Sequence, residues 1–408
     1  MIGLRVAMFV CGVSSAFSLS LMGELFWAEL LLPLVALIVL IARPPRALFA
    51  NGTFRLLMLG VVLLLLGYLI ADLVAGTPRD MYLRGWARVV VLGTNAFSLC
   101  VAGYTDRRSL WAFCVGVGLG GIALAGLHGV PLSQWKLGYG GPSAMAATSF
   151  AGLLPPWMAS LAVGALGGIS MLLDYRSLGA LLMLVALAVF LRARNVELRR
   201  LWRNLPLILV GFGVVAIVAI RLMEVSQDQN MLRREVSDVS RFASLRIGVR
   251  AIADSPLMGR GSWGQGTQDY ADMLYDETVD DMLAAGAGDM LRRGEAFNAH
   301  SQILQSWMEG GLLAASFFII YIVALIRSLY YQALARPVDY LTPLALYVMV
   351  NSLWHSVMSP FLGSHRLTIA LGVAFLVVLS AEVRSRATAG QKTAAAPLLT
   401  RQPANLMR

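Results

Sequence analysis

The sequence is poor in charge and in cysteine. Asp, Glu, Lys and Arg make up 14% of its 408 residues and hydrophobic residues 58%, whereas soluble domains carry about 25% charged residues. The three cysteines, Cys11, Cys100 and Cys114, all lie in apolar runs, so no disulfide framework is expected. These features exclude a soluble enzyme and a secreted disulfide scaffold. They also make the net charge of +10 poor evidence for a nucleic-acid partner, and we expect none.

Apolar runs long enough to cross a membrane recur along the whole chain, since about 20 such residues cover the hydrocarbon core. They predict an all-α, polytopic membrane protein with spans at about 4–22, 25–41, 55–75, 84–103, 109–128, 178–192, 204–222, 302–328, 340–359 and 365–383. The remaining run, 142–173, contains Pro155 and Pro156, and proline breaks a helix. We therefore expect this run either to cross the membrane twice or to enter and return as two short helices.

Arginine-rich short loops stay on the cytoplasmic side of a membrane. Such loops lie at 43–46, 107–108, 192–203 and 327–336. They fall on one side if the chain crosses about 12 times with both termini in the cytoplasm. The chain then divides into helices at 1–222, a large external loop at 223–300, helices at 301–383 and a cytoplasmic tail at 384–408. The external loop holds 13 of the 23 acidic residues and eight arginines but no lysine, which predicts a small water-facing domain.

The segment 298–311 opens the tenth predicted span and holds the candidate general base, His300. The free amides at a helix N-terminus disfavour a protonated imidazole, so this ring would be neutral, as a general base needs. Leu304, Trp307 and Gly311 fall on the same helical face as His300. The alternative is an interfacial histidine that only makes a hydrogen bond.

Two arginines are candidates for binding phosphate, because the planar guanidinium matches phosphate oxygens. Arg176 opens the eighth span two residues after Asp174. The alternative is that its side chain only extends to the membrane interface and pairs there with the Asp174 carboxylate. Arg241 begins a helical stretch with a predicted apolar stripe made of Phe242, Leu245, Val249 and Ile252. The neighbouring arginines, Arg246 and Arg250, are expected to be surface charges.

The run Gly259-Arg-Gly261-Ser-Trp-Gly264 has the spacing of a dinucleotide-binding loop but no preceding strand and no βαβ unit. We predict a tight turn instead, whose amides are a candidate anion site. A row of aspartates follows at helical spacing: Asp269, Asp272, Asp276 and Asp280. Carboxylates along a helix diverge, whereas a metal ion needs ligands that converge. The row therefore predicts a solvated acidic face, and no metal or cofactor is expected.

Three of these segments resemble motifs of the O-antigen ligase and bacterial polysaccharide polymerase superfamily. The run His300-Ser-x-x-Leu304-Gln305-x-x-x-Glu309-x-Gly311 is similar to its signature. The stretch from Arg241 to Pro256-Leu-x-Gly259-x-Gly261 resembles an element of its external loop. Tyr175-Arg176-Ser177 is similar to an element that opens one of its spans. Leu245 stands where that family has tryptophan, and Ser301 where asparagine is common.

The resemblance implies a GT-C-like glycosyltransferase of the bacterial inner membrane with a periplasmic loop. The donor would be an undecaprenyl diphosphate-linked glycan, the acceptor a glycan or lipid A–core, and transfer would be inverting and metal-independent. His300 would be catalytic, with Arg176 and Arg241 on the diphosphate and support from Gly259, Gly261, Gln305 and Glu309. Polymerase and ligase both fit. A transporter or flippase of lipid-linked sugars and a structural envelope scaffold are the alternatives.

Overall fold

The structure, a computed structural model, describes residues 1–20, 23–136, 138–194, 242–263, 269–270, 272–273, 275–276, 299–334, 338–361 and 365–381. Its helices are α1 (Ile2–Ser14), α2 (Trp27–Ala42), α3 (Arg46–Phe49), α4 (Gly52–Ala75), α5 (Arg79–Thr105), α6 (Arg107–Leu127), α7 (Gly140–Ala151), α8 (Pro156–Leu172), α9 (Arg176–Ala193), α10 (242–254), α11 (Gln302–Leu334), α12 (Thr342–Met358) and α13 (Arg366–Ala381). A short hairpin of β1 (Ser18–Ser20) and β2 (Glu24–Phe26) lies between α1 and α2.

Among the described helices, five are long and apolar enough to cross a membrane: α4, α5, α6, α9 and residues Gln302–Gln332 of α11. Four others are apolar but shorter: α1, α2, α8 and α13. The architecture is therefore that of a polytopic helical membrane protein, as predicted. The count of about 12 crossings stays a prediction, and the predicted span 204–222 lies outside the described residues.

The first predicted span, 4–22, is wrong at its C-terminal end, because α1 stops at Ser14 and the antiparallel hairpin follows. The Ser14 and Ser15 hydroxyls donate to the carbonyls of Cys11 and Gly12 at 2.8 and 2.6 Å. Such side-chain to backbone bonds compete with the helical pattern and favour helix ends. Hydropathy alone does not detect this signal.

Several loops that were predicted to share one side lie together at one end of the helix bundle. Arg5 near the N-terminus pairs with Asp106 at 2.6 Å, and Arg107 pairs with Asp339 at 3.2 Å. Asn51, which caps α4, donates to the carbonyl of Val377 near the end of α13 at 3.3 Å. We call this the arginine end of the bundle; its cytoplasmic location remains a prediction.

The run 142–173 forms two helices, α7 and α8, that separate at Pro155 as predicted. A Cβ on Gly152, just after α7, would collide with the Tyr340 carbonyl, so this break lies at the arginine end. The helix α7 rises about 18 Å, too short to cross the hydrocarbon core. The helix α8 then returns, and it packs antiparallel to α9 because Gly167 lies against Gly179 and Gly164 against Ala186.

The helices α4 and α11 pack closely through small residues. A Cβ on Gly67 would lie 2.6 Å from the Ala314 amide nitrogen, and one on Gly60 would lie 3.1 Å from Phe317. Gly67 therefore pairs with the earlier part of α11 and Gly60 with the later part, which makes the helices antiparallel. The start of α11 and the start of α9 consequently lie at the end opposite the arginine end, which we call the site end.

Candidate functional site

The first turns of α11 bury polar side chains toward the helix bundle. Gln302, Gln305, Ser306 and Glu309 recur at helical spacing, and each is at most 1% exposed. The opposite face is apolar and packs in a cluster beneath α10 with Ile247, Ala251, Met308 and the half-buried Leu304 and Trp307. The first turns of α11 are therefore polar on the face toward the bundle and apolar on the face toward α10. Buried polar residues in a membrane helix are typical of a functional site, so this face is the candidate site.

The predicted turn at 256–261, which we call the glycine turn, packs directly against α11. The amides of Arg260 and Gly261 donate to the carbonyls of Met308 and Glu309 at 2.8 and 2.9 Å. The Trp307 indole donates to the Pro256 carbonyl at 2.7 Å. Two of the motif segments, far apart in the sequence, thus form one packed unit.

Glycine is required at this junction. Gly259, Gly261 and Gly311 all have positive φ, +74°, +85° and +70°, a region that other residues rarely adopt. A Cβ on Gly259 would lie 2.5 Å from the Gly311 amide, so the two backbones touch. The predicted tight turn is confirmed. The amides of 259–262 already donate to protein oxygens, so they do not form the candidate anion site, and Gly264 lies outside the described residues.

Glu309 accepts hydrogen bonds from three other side chains in the interior. Arg88 of α5 donates through Nη2 to Glu309 Oε2, and Tyr68 of α4 donates to the same oxygen at 2.5 Å. Gln305 Nε2 donates to Glu309 Oε1 at 3.0 Å. Arg88 and Glu309 are each 2% exposed at the side chain. A buried charge is stable only when paired, so these contacts hold α4, α5 and α11 in one arrangement.

Arg88 is also enclosed by aromatic rings and a loop carbonyl. Its Nη1 donates to the Phe361 carbonyl at 2.7 Å, and the Phe361 amide donates to Gln305 Oε1 at 2.9 Å. The guanidinium carbon lies 4.6 Å from the Phe361 ring centroid and 4.9 Å from that of Trp263. Trp263 has a φ of +54°, unusual for an aromatic residue, and such strain clusters at functional sites.

Asp72 fastens the end of the glycine turn to α4. It accepts from the Ser262 amide at 2.6 Å, from the Ser262 hydroxyl at 2.8 Å and from the Trp86 indole at 2.7 Å. Gly85 of α5 lies so close that a Cβ there would collide with Ser262 Oγ. The segment that ends in Ser262 is thus bonded to α4 as well as to α11.

A second buried ion pair lies on α2 and α13. Arg366 donates through Nε and Nη2 to the two oxygens of Glu29 at 2.8 and 2.7 Å, and also to the Glu24 carbonyl at 2.6 Å. Next to it in sequence, His365 has its ring 4.6 Å from that of His355 between centroids. His355 Nδ1 lies 2.8 Å from Ser359 Oγ. These two histidines, near the end of α12 and the start of α13, therefore lie side by side.

His300 lies immediately before α11 and is half-buried, between the fully buried Ala299 and Ser301. The Ser301 hydroxyl donates to the Ser356 carbonyl of α12 at 3.4 Å, which anchors this segment. Gln302, which follows, is buried, and neither of its carboxamide atoms is hydrogen-bonded to a residue in the described part of the chain. The predicted support residues Gln305 and Glu309 lie on the inner face of the same helix. Their support of catalysis remains a prediction.

Arg176 begins α9 at the site end, the same end as His300. Its side chain is 47% exposed, and its Nε lies 3.9 Å from Asp174 Oδ1, the partner that the sequence suggested. Asp174 has a φ of +62°, which turns the chain between α8 and α9. Arg241 lies outside the described residues, so its convergence with His300 and Arg176 stays a prediction.

The helix after Arg241 corrects one sequence-based expectation. Phe242 and Val249, predicted to form the apolar stripe, are 73% and 55% exposed. Ile252 is buried as predicted, and the other buried apolar residues are Ala243, Ile247 and Ala251. Two of the four buried apolar positions are alanines, which a search for large apolar residues misses. Arg246 and Arg250 are exposed, as expected of surface charges.

The charged residues of the interior were missed in the sequence: Glu29, Asp72, Arg88 and Arg366. A signal for them exists, because each lies inside or at the edge of a predicted apolar span. Ionisable residues there are costly and pair with one another. Opposite charges in different spans therefore indicate contacts between those spans.

Residues 161–319 match the family model described as O-antigen ligase. The match covers Arg176, the glycine turn, His300 and Glu309, while Arg88 lies outside it. It confirms, for this part of the chain, the resemblance to the O-antigen ligase and polymerase superfamily. A search of curated proteins finds no match to the chain.

Proposed function

We propose that this protein is a membrane glycosyltransferase of the O-antigen ligase and polymerase type. It would transfer an oligosaccharide or polysaccharide from a polyisoprenyl diphosphate carrier to a hydroxyl of a glycan acceptor. The observation that carries the proposal is the packed unit formed by α11 and the glycine turn. It brings two motifs of the superfamily together at the bundle end from which Arg176 also projects.

The proposed reaction is a substitution at the anomeric carbon. The acceptor oxygen forms a bond to this carbon while the bond from the carbon to the diphosphate oxygen breaks, and the polyisoprenyl diphosphate leaves with the electron pair. Attack opposite the leaving group inverts the anomeric configuration. The acceptor proton passes to the His300 imidazole, which acts as general base. Arg176 and Arg241 stabilise the growing charge of the diphosphate.

The buried network gives the proposed site its rigidity. Arg88, Tyr68 and Glu309 fix α11 relative to α4 and α5, and Asp72 fixes the glycine turn. Catalytic groups need to be held close to their productive geometry. His300 precedes this fixed part of α11 by only two residues, so the network also limits the movement of its backbone.

The test is transfer by the purified full-length protein in detergent. A donor carrying a labelled oligosaccharide on polyisoprenyl diphosphate is incubated with an acceptor, and products are separated on a gel. A ladder of lengthened carrier-linked chains indicates a polymerase, and transfer to a lipid A–core acceptor indicates a ligase. Detergent abolishes any membrane gradient, so a product formed there comes from an enzyme and not from transport. Absence of both products, together with translocation of the intact donor across vesicle membranes, would favour the transporter alternative.

A further inference from the structure

A groove of about 660 Å³ lies at the arginine end of the bundle, between α4, α11 and α13. We call it the α4–α11–α13 groove. Its volume falls within the usual range of sites for small molecules, about 300–1,000 Å³. It is far from the proposed active site, because about 22 Å of continuous helix separates Leu312, just after the kink at Gly311, from Arg327 at the rim.

The groove is apolar along most of its length. Leu57, Leu376 and Leu379 form a buried floor, whereas Ile319 and Val323 on its edge are 39% and 59% exposed. Because the floor is buried and the edge on α11 is exposed, the groove is open on the outer side of the bundle. In a membrane protein, that side faces the acyl chains of the bilayer.

The polar residues of the groove all lie toward one end. On α11 the lining changes from apolar at 319–324 to polar at 327–332, over about 20 Å. Thr53 at the start of α4 and Ser380 at the end of α13 lie at the same end, because Asn51 and Ser380 share a hydrogen bond of 3.2 Å. This arrangement matches an amphiphile, with a chain in the apolar part and a headgroup at the rim.

The rim carries a positive charge. Arg327 is exposed, its guanidinium carbon lies 5.5 Å from the Tyr331 ring centroid, and the described lining residues include no acidic side chain. The sequence that follows α13 does not complement this charge, because it is net basic, with Arg384, Arg386 and Lys392 against one acidic residue, Glu382. Charge complementarity favours an anionic lipid over this basic segment.

We propose that the α4–α11–α13 groove binds an anionic membrane phospholipid, with an acyl chain against the leucine floor and the headgroup phosphate at Arg327. The site is separate from the glycan-transfer site and does not depend on the proposed function. A basic residue at a membrane surface contributes about 1 kcal/mol of attraction to anionic lipids, which is about fivefold in affinity.

The experiment is native mass spectrometry of the full-length protein titrated with phosphatidylglycerol or with phosphatidylcholine of the same acyl chains. The wild type is expected to retain phosphatidylglycerol preferentially. Arg327→Gln should weaken phosphatidylglycerol binding about fivefold without affecting phosphatidylcholine. Arg327→Lys should keep most of the preference. The matched control is Arg55→Gln, which removes an exposed arginine near the start of α4 that does not line the groove.

A second variant tests the apolar part. Ala324→Phe places a ring in the groove and should weaken binding of both lipids, with an unchanged melting temperature as the sign of correct folding. Equal binding of the two lipids by the wild type, or equal effects of Arg327→Gln and Arg55→Gln, would overturn the proposal. It would also be overturned if polyisoprenyl phosphate, but not phosphatidylglycerol, required Arg327.

Discussion

Arg88 on α5 and Glu309 on α11 form a buried ion pair although they are 221 positions apart in the chain. Tyr68 of α4 donates to the same carboxylate oxygen and accepts from Arg88 at 2.9 Å. The helix that follows His300 is thus fastened to the N-terminal half of the protein. This contact links the segment matched by the family model to helices that lie outside it.

Removing one partner of this pair is expected to destabilise the protein strongly. Arg88→Ala leaves the Glu309 carboxylate buried without its cation, at a cost of about 3–5 kcal/mol. Thermal unfolding in detergent measures the effect. Arg84→Ala, one turn earlier on α5 and exposed, is the matched control and should change little. Equal melting temperatures for the two variants would show that the ion pair does not stabilise the fold.

Gly311→Ala is expected to disrupt the junction between α11 and the glycine turn. The new Cβ would collide with the Leu257 carbonyl, and the φ of +70° is strained for alanine. We expect a lower melting temperature and loss of transfer. Gly168→Ala is the control, because the space around that helical glycine is open, and alanine there should be neutral or slightly stabilising. A Gly311→Ala variant as stable as the control would contradict the close packing described here.

Arg176→Ala is expected to lower transfer about 100-fold, the usual effect of losing one donor that stabilises developing negative charge. The protein should still fold, because Arg176 is half-exposed and its nearest carboxylate lies 3.9 Å away. Arg79→Ala is matched to it, since Arg79 is also an exposed arginine at the first position of a helix. Were both variants fully active, Arg176 would serve only to pair with Asp174 at the interface.

Transfer is expected to persist in excess EDTA, because two guanidinium groups would stabilise the leaving diphosphate in place of a metal ion. Product formation is measured before and after chelation, and again after adding magnesium or manganese. Loss of product on chelation with recovery on adding either ion would show that the reaction needs a metal.

Local signals in the sequence predicted local structure well. The run 142–173 divides into two helices at Pro155 as predicted, because proline lacks the amide hydrogen that a helix needs. The glycines at 259 and 261 predicted a tight turn, and both have positive φ. The end of α1 at Ser14 was missed, because it depends on short-range hydroxyl bonds within an otherwise apolar run.

Contacts between distant segments were beyond the sequence. Glu309 was a candidate supporting residue through its motif alone, whereas its partner Arg88 had no motif to mark it. The pairing depends on how α5 packs against α11, and a single sequence does not contain that information. The same holds for Glu29 and Arg366, which meet only because the first and last parts of the chain are neighbours in the fold.

The most direct test of the proposed function is the effect of His300→Ala on transfer by the purified protein. We expect loss of product with an unchanged melting temperature, because His300 is only half-buried and precedes α11. His128→Ala, at an exposed position after α6, should retain full activity. Near-normal transfer by the His300→Ala variant would contradict the assignment of this imidazole as the general base.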